Sequence, residues 1–150
     1  MSAKPREEDI VRQLATEIRL LEGSISGLQS RLDIVRSAIN EVTLAFSTLD
    51  GLKNMKDGDS TLVPVGAGSY VRMNLADSKK LIMGIGAGAA MEKDVESSVV
   101  ELRSRLEELD KARTSIQQQL DQTAARYQED REALEDLLRQ QQGPAQQRAS

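Results

Sequence analysis

The sequence predicts an α+β chain in which a long antiparallel coiled-coil hairpin carries two central β-hairpins that serve as an oligomerisation module. Three observations lead there. A first apolar ladder steps by alternate threes and fours from Val11 through Leu14, Ile18, Leu21, Ile25, Leu28, Leu32, Val35, Ile39, Val42 and Phe46 to Leu49. A second runs through Val95, Val99, Leu102, Leu106, Leu109, Ile116, Leu120, Tyr127, Leu134 and Leu137, with Arg113, Thr123 and Asp130 at its polar positions. Between the ladders lies a stretch with strand signals and most of the glycines.

The spacing of the first ladder is that of a coiled-coil seam, and a solitary helix would expose it to water. The helix is expected over residues 7–50. It starts within Pro5 to Asp9, where proline suits an early helical position and Glu7, Glu8 and Asp9 favour the positive end of the helix dipole. Gly23 and Gly27 lie outside the seam and soften it at up to about 1 kcal/mol each relative to alanine. Asp50 and Gly51 give the stop, and Asp57-Gly58-Asp59 forms a polar turn. The second ladder is the partner, and a structured connection reverses the chain between them. Leu49 is therefore expected near Val95 and Val11 near Leu134, in helices about 60–70 Å long at 1.5 Å per residue.

Over residues 60–92 four short strands form two pairs. Leu62 to Val65 is followed by Gly66-Ala67-Gly68 and by Tyr70 to Leu75, where Val71, Met73 and Leu75 alternate with Arg72 and Asn74. Leu81 to Ile85 is followed by Gly86-Ala87-Gly88 and Ala89 to Glu92. Aligning Gly66 with Gly86 and Gly68 with Gly88 makes the second pair a duplicate of the first. Isolated two-stranded ribbons are marginal in water, and Pro64 belongs at an edge or on a non-bonded side of a ladder. The apolar set Leu62, Val63, Val65, Val71, Met73, Leu75, Leu81, Ile82, Met83 and Ile85 is therefore expected to meet strands of other subunits.

The second helix is expected over residues 94–140, with Asp94 as its N-cap and Glu101/Arg105, Glu107/Lys111 and Glu135/Arg139 as i,i+4 pairs on a solvated face. Gly143 and Pro144 are read as stopping it, leaving a glutamine-rich tail over 141–150 without order.

Composition narrows the function. With one phenylalanine, two tyrosines and no tryptophan, the chain lacks the aromatic mass of a compact interior. A net charge of about −4 with mixed signs argues against nucleic acid as a partner. The absence of cysteine removes disulfides and thiolate metal sites, and the absence of histidine removes the commonest general base and metal ligand. The first residues are polar, and no apolar run reaches the length of a signal or membrane span, so a cytoplasmic protein without a membrane partner is expected.

Sharper readings fail on context. Gly84 to Ala89 invites a phosphate loop, but no βαβ unit or lysine-serine pair accompanies it, and the same Gly-Ala-Gly recurs at Gly66 where no helix follows. The acidic runs Glu7 to Asp9 and Glu107 to Asp110 are solvated helix faces. Met55, Met73, Met83 and Met91 fit hairpin packing better than an adaptable binding surface. The open end of the coil is different. There Ile10, Val11, Leu14, Leu134, Leu137 and Leu138 have no third element to cover them, and they form the candidate binding site.

With Leu62-Val63-Pro64-Val65-Gly66-Ala67-Gly68-Ser69-Tyr70-Val71 and Ile82-Met83-Gly84-Ile85-Gly86-Ala87-Gly88 set between two heptad helices, the chain resembles the alpha class of archaeal-type prefoldin subunits over about residues 7–140. The two-hairpin insert is the specific part, since beta-class subunits have one hairpin. The resemblance implies a hexamer of two alpha and four beta subunits, whose hairpins build a double β-barrel body from which coiled coils project. It implies capture of non-native polypeptides at the coil tips without ATP or any other cofactor, and delivery to a group II chaperonin. No bond is broken, so no catalytic residue and no metal is expected. The alternative is a structural coiled-coil adaptor displaying a specific docking face.

Overall fold

The structure is a computed structural model that describes residues 3–146, with side chains described over 6–143. Six elements follow one another: α1 (Ala3–Leu52), β1 (Ser60–Gly66), β2 (Ser69–Asn74), β3 (Lys80–Gly86), β4 (Ala89–Asp94) and α2 (Val95–Gln146). Two long helices thus enclose two antiparallel hairpins, as the ladders and the duplicated turn predict. The chain divides into two units. One comprises 37–111, with both hairpins; the other pairs α1 up to Arg36 with α2 from Ala112.

In the unit of residues 37–111, the seam closes into an interior. Val42, Leu49, Val95, Val99 and Leu102 are buried together, and Phe46, Leu52, Leu106 and Leu109 pack against them. Leu49 and Val95 share this cluster, as an antiparallel reversal requires. Leu81 and Met83 of β3 also pack on it, so the second hairpin is docked on the helices through one of its faces.

The hairpins have matching ladders. In the first, Val63 opposes Val71 and Gly66 opposes Ser69; in the second, Met83 opposes Met91 and Gly86 opposes Ala89. Each has its irregularity just before the turn, between Pro64 and Gly66 or between Gly84 and Gly86. The loop residues repeat as well, with φ of 50° and 73° at Ala67 and Gly68 and of 52° and 74° at Ala87 and Gly88. Positive φ at both central residues is the signature of a type I′ turn, whose twist suits a two-residue hairpin. The duplication is therefore one of backbone conformation as well as sequence. Gly84 to Ala89 makes a hairpin, with α2 starting only at Val95.

Two loops clasp each other beside the first hairpin. The Ser78 amide donates to Asp57 Oδ1 at 2.7 Å, Gly58 N–H to the Leu75 carbonyl at 2.7 Å and Leu75 N–H to the Asp59 carbonyl at 2.8 Å. The Ser78 backbone bond, then its hydroxyl, holds the Asp57 carboxyl below its usual range. Asp57-Gly58-Asp59 is thus a long-range tie as well as a turn.

In the other unit the helices run antiparallel. Arg126 meets Glu17 at 3.8 Å, the Tyr127 hydroxyl donates to Glu22 at 3.1 Å, and one groove is lined by Gly27 and Arg31 on α1 and by Gln119 and Thr123 on α2. Residues 17–22 of α1 thus meet 126–127 of α2, and residues 27–31 meet 119–123, the order of antiparallel helices. Leu32 is buried here, whereas Val11, Leu14, Ile18, Leu21, Ile25 and Leu28 are half-buried.

Several expectations shift. Helix α1 begins at Ala3, which moves Glu7, Glu8 and Asp9 beyond the first turn. Helix α2 continues through Gly143 and Pro144 to Gln146 instead of ending near 140, because extending an established helix carries no new nucleation cost. Residues 147–150 of the expected tail lie outside the described residues. Asp94 does precede the helix, but its carboxylate meets Lys80 Nζ at 2.8 Å, while Ser97 Oγ donates to its carbonyl at 3.1 Å. Among the expected i,i+4 partners, Glu101 bonds Lys93 and Glu135 bonds Arg131.

Ala67 and Ala87 generate the first prediction. An L-alanine in the left-handed region costs roughly 1 kcal/mol, and asparagine tolerates that region better. Ala67→Asn and Ala87→Asn should each raise the melting temperature by a few degrees, about additively, in thermal circular dichroism. Lowered melting in both variants would contradict the turn assignment.

Candidate functional site

The hairpin ladders sort side chains onto two faces, because directly opposed residues share a face. On the more covered face of the first hairpin lie Thr61, Val63, Val71 and Met73; on that of the second lie Leu81, Met83, Met91 and Lys93. The two are filled differently. Leu81 and Met83 are half-buried against the chain's own core, whereas Val71 remains 41% and Met73 49% exposed. Val63 and Leu75 are half-buried. Leu62 and Ile82 lie on the opposite faces and are exposed, as are Val65 and Ile85 next to the turns. Tyr70 and Met91 are exposed apolar residues outside the expected set, and each lies across its ladder from a member of the repeat, Pro64 or Met83.

The second hairpin is oriented by a charge pair that local spacing rules do not reveal. Lys93 on β4 bonds Glu101 on α2 at 2.8 Å, with Lys93 the more covered partner. The hydrogen bond and the charge of Lys93 hold the Glu101 carboxyl below its usual range. Glu101 therefore ties strand to helix and is more than part of a solvated face.

At the candidate tip site, Ile10 is 45% and Leu138 41% exposed, while Val11, Leu14, Leu134 and Leu137 are half-buried. The seam positions are the more covered ones, and the flanking pair stays open. Leu20, Ile34, Leu44 and Val100 also expose most of their surface, outside the seam. The heptad count passed over them because they belong to neither ladder.

Among the described residues, no group of three or more aspartates or glutamates is placed to hold a metal ion, and none of the described helices is long and apolar enough to cross a membrane. A cleft is lined by Leu52, Lys53, Met55, Ser78, Lys79, Asp94, Val95, Glu96 and Ser97; there the Ser97 hydroxyl donates to the Asp94 backbone carbonyl and the Asp94 carboxylate is paired with Lys80. What the molecule offers is apolar surface, on the hairpins and at the helix ends.

Comparison with known proteins agrees with this geometry. A family model described as prefoldin subunit matches residues 21–140. The prefoldin alpha subunit of Methanopyrus kandleri is 34% identical over 123 residues, covering 80% of this chain and 78% of its own. That of Methanobrevibacter smithii is 36% identical over 110 residues, covering 71% and 75%. Among solved structures, a filamentous prefoldin from Methanocaldococcus jannaschii superimposes with a TM-score of 0.63 at 22% identity, covering 77% of this chain and 95% of its own, a likeness of fold.

The Lys93–Glu101 tie generates the second prediction. A carboxyl held below its unfolded value stabilises the fold above that value, and the contribution is lost as pH falls through the lowered one. Melting temperature should drop as pH falls below about 4, and Glu101→Gln should lower it near neutrality and flatten the acid drop. Hydrogen exchange should localise the loss to β3 and β4. Equal effects from Glu107→Gln would show that Glu101 behaves as an ordinary surface residue.

Proposed function

This chain belongs to the prefoldin family of chaperone subunits, and from that premise we propose that it is an ATP-independent holdase subunit capturing non-native polypeptides at the ends of its coiled coil. The observation that carries this reading is the half-open apolar group at the helix ends: exposed Ile10 and Leu138 beside half-buried Val11, Leu14, Leu134 and Leu137. An unfolded chain exposes scattered apolar side chains. Each contact contributes only about 25 cal/mol per Å² of buried apolar surface, so retention requires several such ends acting on one client.

Several ends require an assembly, and the hairpins are its proposed site. Their exposed apolar residues, including Val65, Val71, Met73 and Ile85, favour contact with hairpins of further subunits. In the arrangement we propose, two copies of this chain join four beta subunits through hairpin strands in a barrel body. The assembly works in the cytoplasm and passes its clients to a group II chaperonin. It binds without chemistry and needs neither nucleotide nor metal.

Assembly is tested by replacing both Val71 and Met73 with aspartate. Burying the two charges without partners costs several kcal/mol, so subunits should be released that keep their helicity. Size-exclusion chromatography and circular dichroism read the two effects; an assembly of unchanged mass would reject the hairpins as the interface. Capture is tested in the complete assembly by deleting residues 1–14 together with those after Ala133. Suppression of aggregation of several unrelated denatured proteins should be lost while the assembly mass changes only by the deleted residues, since no hairpin residue is removed. Wild-type suppression by the truncated assembly would move the client site elsewhere, and suppression limited to one client would favour a specific adaptor.

A further inference from the structure

Gly23 and Gly27 serve no purpose within the chain's own packing. Both stand inside α1, where glycine lowers helix stability relative to alanine. Neither takes a positive φ, and a Cβ at either would meet nothing within 4 Å. Backbone conformation and intrachain contact therefore leave the missing side chains without a use. The edge of α1 opposite the seam supplies one. With Ile18, Ile25 and Leu32 in the seam, that edge carries Thr16, Leu20, Gly23, Gly27, Ser30 and Ile34, all exposed and all uncharged. Leu20 and Ile34 keep 68% and 70% of their surface exposed. They lie seven residues to either side of Gly27, with Gly23 and Ser30 between, so the edge reads large, small, small, small, large in both directions. Charge follows the same symmetry with its sign reversed. Arg19 precedes Leu20 and Asp33 precedes Ile34; both are exposed, and neither takes part in an ion pair among the described residues.

We propose that this edge docks on the same edge of a second copy of this chain, packed antiparallel with Gly27 against Gly27 at the crossing. Leu20 of each copy then meets Ile34 of the other, and Arg19 of each falls beside Asp33 of the other. One two-fold axis forms both sets of contacts, as a self-complementary surface requires. Small residues at the centre let two helix backbones approach closely, and the large ones fill the space where inclined helices diverge. The charge order selects the direction, since a parallel pair would set Arg19 by Arg19 and Asp33 by Asp33. It also selects the occupant, because apolar spacing and charge order are both symmetric about one residue and a second copy matches both. The contact uses no residue of the hairpins or of the helix ends, so it does not depend on client capture.

The chain has no cysteine, so single cysteines placed in the full-length protein report position directly. With a short bis-maleimide, Gly27→Cys should cross-link to its own copy. Leu20→Cys and Ile34→Cys should each cross-link poorly alone and about tenfold better when mixed, because each faces the other's position across the axis. Gly27→Leu gives two readouts of opposite sign. Leucine favours helix and has room here, so thermal circular dichroism should show a higher melting temperature, while the cross-link between Leu20→Cys and Ile34→Cys should be lost in chains that carry the change. No cross-link at Gly27→Cys, equal yields at the three positions, or a mixed cross-link that survives Gly27→Leu would each overturn the proposal. So would a Gly27→Cys chain that fails to cross-link yet is shielded from a monofunctional maleimide, since that assigns the edge to a different subunit or a client.

Discussion

The buried cluster of Val42, Leu49, Val95, Val99 and Leu102 is the constraint on which the rest of the unit of residues 37–111 depends. The apolar residues of this chain lie in narrow stripes, and a stripe closes into an interior only where more than two elements converge. Here α1, α2 and β3 do so. The cluster lies at the last turns of α1 and the first turns of α2, so it fixes which turn of one helix faces which turn of the other. Once that register is set, each further heptad adds contacts without a new nucleation cost. Phe46, the sole phenylalanine, packs against the cluster, and the Arg103 guanidinium lies over its ring at 5.7 Å from the centre. Ser98 is fully buried nearby with no partner for its hydroxyl, and its small volume is what that close approach needs.

From this cluster outward, two copies of one hairpin design are held by different means. The second is docked through Leu81 and Met83 and tied by Lys93 to Glu101, so its inner face is largely consumed by the chain itself. The first is held at its base by the clasp of Asp57, Gly58 and Asp59 with Leu75 and Ser78, which is polar and consumes none of its apolar surface. Val71 and Met73 stay open as a result. A duplicated sequence therefore gives one hairpin anchored by apolar packing and one by hydrogen bonds, and the second kind of anchor is the one that leaves an apolar face open.

The periodic features were legible because each has a local cause. A strict alternation of threes and fours can only be a seam, and Gly-Ala-Gly between strand runs marks backbone that must reach positive φ. The ties that orient these pieces were not legible, because their partners are chosen by tertiary approach. Glu101 has Arg105 one turn away, yet bonds Lys93 on a neighbouring strand; Asp94 stands at a helix start, yet bonds Lys80 across its own ladder. Local rules rank exposed partners within a few tenths of a kcal/mol of one another, so any residue that the fold brings closer wins. The same limit applies to Gly143 and Pro144, which penalise a helix without ending it here. At the candidate site, the heptads mark Val11, Leu14, Leu134 and Leu137 as seam positions, which the structure half-buries, while the exposure of Ile10 and Leu138 beside them is a property of the packed pair.

The unit formed by the remaining parts of the helices is built to a different standard. Among its described apolar seam residues Leu32 alone is buried. Polar residues interrupt the second ladder at Arg113, Thr123 and Asp130, and one carboxylate oxygen of Asp130 is covered without a hydrogen-bond partner. Such positions specify register at a cost in stability. The cost has a use in the proposed function. A seam closed as tightly as the cluster at Leu49 and Val95 would present no apolar surface to a client, and a fully open one would associate with itself. In that reading Val11, Leu14, Leu134 and Leu137 stay half-buried in the resting chain, and local opening of a weakly packed helix pair exposes them at low free energy. In the proposed function, capture without ATP follows from mass action, because a client that binds the opened form shifts a population already accessible to the chain.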